Sequence, residues 1–197
     1  TLTAEPQRST ATALLGQLLE SPRFDDEAFT RQRDQALAGL KRELESPAAL
    51  GQRAYYRALF GDHPYGRPPE GTLDSLGQLT RANVEAFYRR HYVAKNLTIA
   101  IVGALTRADA EVLADRLAST LAAGEAAPAL PPLPAYAPVT EHLEFASSQS
   151  HVFVGQRGLA REDPDYFPLV VANHVLGGNG VVSLLFEEIR EQRGLSY

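Results

Sequence analysis

The chain has 197 residues, 44% of them hydrophobic, and a formal net charge of -5. That is enough apolar material for one or two globular domains, and the acidic balance gives no global electrostatic case for nucleic acid. The absence of cysteine excludes disulfides, thiolate-bound zinc, iron–sulfur clusters and thiol nucleophiles. The most apolar runs, 97–105 and 167–176, fall far short of a membrane span. The first residue is Thr1 and no Met occurs, so a processed product or a piece of a longer chain is expected. Composition leaves the compartment open between periplasmic or extracytoplasmic and cytoplasmic.

In chain order, residues 9 to 60 read as three helices. Ala13, Leu14, Leu15, Leu18 and Leu19 give the first an apolar face, broken at Ser21-Pro22. The second starts near Asp25 or Asp26, carries Phe29, Ala36, Leu37, Leu40 and Leu44, and stops at Ser46-Pro47. The third runs from Pro47, suited to a first-turn position, to Phe60. A turn-rich loop, Gly61 to Thr72, follows, then a short turn Leu73–Leu76. Thr80 caps a helix over Arg81–Tyr92, and Thr106 caps one running to about Leu121.

Between these two helices, Leu97–Val102 is β-rich and closes on Gly103, which predicts a strand. Five prolines between 128 and 138 mark an Ala/Pro-rich linker over 122–138. Two further β-like runs, Val139–Phe145 and His151–Gly155, precede a helix over Asp165–Leu176. A glycine knot, Gly177, Gly178 and Gly180, then enters an amphipathic helix, Ser183 to about Arg190. Ser183 is its N-cap, Leu184, Leu185 and Ile189 are its apolar face, and Gly194 ends it.

This order predicts an α+β fold, helices packed on an antiparallel or mixed sheet, with residues 1–121 and 139–197 as two units and 122–138 between them. One strand in the first unit cannot stand alone, so the chain reads as a fragment.

The five histidines, His63, His91, His142, His151 and His174, include no pair spaced for a metal on one helix face. They read as surface or packing residues. No G-x-S-x-G, P-loop or dinucleotide fingerprint occurs. Two features resist a purely structural reading. One is the loop His63-Pro64-Tyr65-Gly66 followed by Gly71-Thr72; the other is Arg190 and Tyr197, seven residues apart on a glycine-broken element. A forked cation and a phenol could together grip a peptide carbonyl. From spacing alone, a surface Arg and a packed Tyr account for the pair better.

The ordered set of motifs resembles the pitrilysin / insulinase / mitochondrial processing peptidase family of zinc peptidases, the inverzincins with H-x-x-E-H. The matching segments are Pro22-Arg23-Phe24, His63-Pro64-Tyr65-Gly66, Gly71 through Leu76, Phe87-Tyr88 with His91-Tyr92 and Asn96, and Val102-Gly103. Gln149, Gly155, Asp163-Pro164-Asp165-Tyr166, Leu176-Gly177-Gly178, Phe186, Arg190, Arg193-Gly194-Leu195 and Tyr197 continue the match.

The resemblance implies a metallohydrolase fold of the mitochondrial processing peptidase type, built from two similar domains. Residues 1–121 would be the later part of a first peptidase-like domain, and 139–197 the start of a second, inactive-type one. It also implies two halves that close around extended peptides, one holding zinc through H-x-x-E-H and a Glu on a later helix. Aligned on Phe29, the family's paired Glu positions fall on Gln32 and Gly39, neither of them a carboxylate. The implied role is a non-catalytic region or subunit with no metal ligand or cofactor of its own. Zinc is expected on an H-x-x-E-H partner domain or subunit, with Arg190 and Tyr197 binding the peptide substrate. Leu184 stands where the family usually has Arg, which bears on local packing. Two alternatives accompany this reading: a structural or interaction protein of the same fold, and a piece of an active zinc peptidase lacking its metal domain.

Overall fold

The computed structural model describes residues 5–178 and 181–196. Contacts divide the chain into two units, Thr1–His151 and Val152–Tyr197.

The first unit is helical: α1 Arg8–Glu20, α2 Asp26–Glu43, α3 Pro47–Phe60, α4 Leu73–Gln78, α5 Arg81–His91 and α6 Arg107–Ala118. Their ends follow from local chemistry. Asp26 and Glu27 in the first turn of α2, and Lys41 and Arg42 in its last, complement the helix dipole. Ser46 Oγ accepts from the Ala49 amide, and Pro47 opens α3 without losing a bonded donor. Thr72 with Ser75, and Thr80 with Asn83, form reciprocal capping boxes at α4 and α5. Thr106 accepts from the Asp109 amide to start α6. The core is small. Leu40 (2% exposed), Leu59, Val93 and Leu117 are the buried apolar side chains among the described residues. Near this core, the Tyr88 hydroxyl donates to the Leu19 carbonyl at the end of α1, and the Tyr88 ring meets Phe24 edge-on.

The second unit contains α7, Tyr166–Asn173, which passes into a π-helical turn at His174–Gly178, and a second π-helical stretch, Phe186–Glu191. None of its described apolar side chains is buried; Ser183 is its one buried residue among those described.

The expected α+β fold, with helices on an antiparallel or mixed sheet, is overturned: no described residue lies in a strand. The reason is visible at Leu97–Val102. The period-2 pattern survives, with Leu97, Ile99 and Ile101 half-buried and Thr98, Ala100 and Val102 exposed. Among the described residues no strand lies beside it to complete a hydrogen-bonded ladder, so β propensity alone does not make a sheet. Val139–Phe145 and His151–Gly155 likewise run without ladder partners.

A second correction concerns the terminal helices. The α7 helix stops at Asn173 rather than Leu176, and the stretch after Ser183 is π-helical from Phe186, as the Gln192 amide bonding the Glu187 carbonyl at 3.0 Å shows. The predicted apolar face there is not buried within the chain: Leu184, Leu185 and Ile189 are all exposed.

Candidate functional site

The glycine-rich entry and the π-helical stretch enclose an open pocket of about 250 Å³, lined by Gly177, Ser183, Leu185, Phe186, Ile189, Arg190 and Ser196. Its floor is set by Ser183, 3% exposed, whose Oγ accepts from the Phe186 amide at 3.3 Å, the predicted cap contact. A Cβ at Gly177 would come within 2.9 Å of Leu185 Cδ1. At the other end, Gly194 takes φ 61°, its amide bonds the Arg190 carbonyl and the Leu195 amide bonds the Ile189 carbonyl, each at 3.0 Å. This left-handed residue ends the element as the sequence predicts.

Arg190 lines the pocket. Its guanidinium lies 5.0 Å from the centroid of the Phe186 ring, and it makes no ion pair among the described residues. Stacking holds the planar cation over an aromatic face while leaving its N–H donors for an acceptor from outside. The other predicted site residue, Tyr197, lies outside the described residues.

The helix α2 carries the two positions where the resemblance would put metal-ligating carboxylates. Gln32 is exposed and offers an amide; Gly39 has no side chain, and a Cβ built on it meets nothing within 4 Å. Among the described residues, no group of three His, Asp or Glu side chains could hold a metal ion. The described residues therefore do not fit a zinc ion.

The loop His63-Pro64-Tyr65-Gly66 turns out to be an anchoring point. His63 is 6% exposed; its Nδ1 accepts from the Tyr65 amide at 3.2 Å and its Nε2 lies 3.0 Å from the Pro131 carbonyl. Asn96 works in parallel. Its amide nitrogen donates to the His91 carbonyl at 3.0 Å and its Oδ1 accepts from the Ala127 amide at 2.7 Å. Backbone bonds from Ala94 to Ala122 and from Lys95 to Ala123 add two more ties. The proline-rich connector 122–138 is thus tied to the first unit at Ala122, Ala123, Ala127 and Pro131. The sequence singled out the His63 loop but could not pair it with a residue 68 positions away; that contact is visible only in the structure.

The sequence profile of the peptidase M16 inactive domain matches residues 78–197. An uncharacterized zinc protease of Streptomyces coelicolor is 32% identical over 187 residues, covering 91% of this chain and 40% of its own length. One from Mycobacterium leprae is 33% identical, covering 84% of this chain and 38% of itself. Among solved structures, the peptidase M16 inactive domain from Pseudomonas fluorescens superposes with a TM-score of 0.90 at 32% identity, covering 100% of this chain and 48% of that one. The chain spans less than half the length of these relatives.

Proposed function

The chain belongs to the peptidase M16 family, by its inactive domain, and from that premise we propose that it is a non-catalytic region or subunit of a zinc metallopeptidase. In this reading it helps bind and orient peptide substrates for a companion domain or subunit that carries H-x-x-E-H and the zinc. The observation that carries the proposal is the donor set on α2: Gln32 and Gly39 stand where the zinc-bearing half would need carboxylates.

Two features support a companion. The second unit leaves Phe167, Val171, Val182 and Leu184 exposed, which is apolar surface that an isolated protein seldom leaves bare. The pocket beside Arg190 combines apolar walls with a cation held by stacking, a combination suited to an extended peptide's carbonyl and neighbouring side chain. The π-helical turn that builds it is a geometry found often at functional sites. Arg190 would orient the peptide, and Tyr197 would contribute its hydroxyl to the same substrate.

Reconstitution tests this. Mixed with a cognate H-x-x-E-H subunit, the protein should raise peptide cleavage. Arg190→Ala should lower that cleavage about tenfold, the cost of one charge-assisted hydrogen bond, and Tyr197→Phe should lower it less. Wild-type activity from both variants would remove the substrate role.

A further inference from the structure

The pocket beside Arg190 carries one charge. Among its described lining residues Arg190 is the sole ionisable side chain; Leu185, Phe186 and Ile189 make an apolar wall, and Ser183 and Ser196 add hydroxyls. Three carboxylates lie on the same stretch of chain, and none answers this cation. Glu187 Oε1 accepts from Gln192 Nε2 at 3.3 Å, Glu188 Oε2 lies 3.9 Å from Arg193 Nη2, and Glu191 does not line the pocket. Ser183 is buried, and its Oγ accepts from the Phe186 amide, which leaves its O–H to donate.

A peptide offers Arg190 two kinds of acceptor, a neutral main-chain carbonyl and a carboxylate. Seated on the apolar wall, the peptide removes water from the guanidinium. A carbonyl then leaves the positive charge without a counter-charge, which is costly away from water. A carboxylate neutralises it and accepts two N–H groups of the fork at once. The Phe186 ring, 5.0 Å from the guanidinium carbon, restricts the fork and so favours such a two-point acceptor.

We propose that this pocket selects peptides by a carboxylate, which Arg190 grips through two N–H groups while an apolar neighbour packs on Leu185 and Ile189. An acidic side chain and a free C-terminus both present that group. The selectivity rests on the substrate-binding role proposed above for Arg190.

The experiment measures, by fluorescence anisotropy, the binding of three peptides of one apolar sequence to the full chain, each peptide blocked at its N-terminus by the fluorophore. One carries a single internal Glu and an amidated end, the second has Gln in its place, and the third is the Gln peptide with a free C-terminal carboxylate. At least one carboxylate peptide should bind about tenfold tighter than the neutral one, the worth of one charge-assisted pair, and which one does so names the source of the carboxylate. The advantage should shrink as salt is raised. It should vanish in Arg190→Gln and persist in part in Arg190→Lys, which keeps the charge without the fork. Equal affinities of the three peptides for the wild-type chain would overturn the selectivity. So would the absence of binding by all three, or an advantage that survives Arg190→Gln. Cleavage of the same peptides by the cognate H-x-x-E-H subunit separates selectivity from orientation. Cleavage raised by the protein without preference for a carboxylate removes the selectivity and keeps the orienting role. Carboxylate-selective binding without raised cleavage keeps the selectivity and removes the orienting role.

Discussion

The units Thr1–His151 and Val152–Tyr197 handle apolar residues in opposite ways. In the first, helices meet one another, and Leu40, Leu59, Val93 and Leu117 leave solvent between them. In the second, α7 carries Val170 and Val171 and the π-helical stretch carries Ile189, yet no described apolar side chain is buried. Patterning is comparable in both, so the difference lies in available partners. A segment of fewer than fifty residues cannot enclose a core without help. The lesson is that an amphipathic pattern specifies a face to be covered and says nothing about what covers it. In our account, the companion peptidase domain covers the second unit.

This contrast can be broken at several points. The largest effect should come from Leu40→Ala, which opens a cavity in the first unit and should cost about 2–4 kcal/mol in a denaturation experiment. Next is Gly124→Ala. Gly124 sits at φ 58°, and an added Cβ would lie 2.4 Å from Val93 side-chain atoms, so the substitution should cost more than about 1 kcal/mol in the same experiment. A cost near zero would mean that the start of the connector is not packed on the first unit.

Gly39→Ala should act in the other direction. With open space around the position and helical backbone on either side, thermal unfolding should show a gain of about 0.5–1 kcal/mol. A loss would show that something approaches α2 closely at that point. The smallest effect is expected in the second unit. Val154→Thr, at a side chain 90% exposed, should change the stability of the chain alone by less than about 0.5 kcal/mol. The same substitution should weaken association with the companion if that surface is a contact.

Much of the helical content was legible in the sequence because its signals are local. Thr80, Thr106, Pro47 and Gly194 mark helix ends as expected, whereas α2 stops at Glu43, short of the predicted break at Ser46-Pro47. The strands were misread because Leu97–Val102 satisfies a strand's local pattern, whereas a ladder needs a distant partner that pattern cannot supply. The π turns were missed for a related reason: a bond from Gln192 to Glu187 differs from an α-helical one by a single residue, which apolar periodicity does not resolve. At the candidate site, the cap at Ser183 was legible in the sequence, and the stacking of Arg190 on Phe186 came from the structure. The ties made by Asn96 and His63 to the connector depend on contacts across 31 and 68 residues, which linear reading could not pair.

The central claim is that zinc chemistry belongs to the companion and not to this chain. Zinc titration of the purified chain, followed by calorimetry and by metal analysis after dialysis, tests it most directly. The account predicts no stoichiometric zinc. One tightly held zinc per chain, accompanied by zinc-dependent cleavage of a peptide in the absence of any companion, would contradict it.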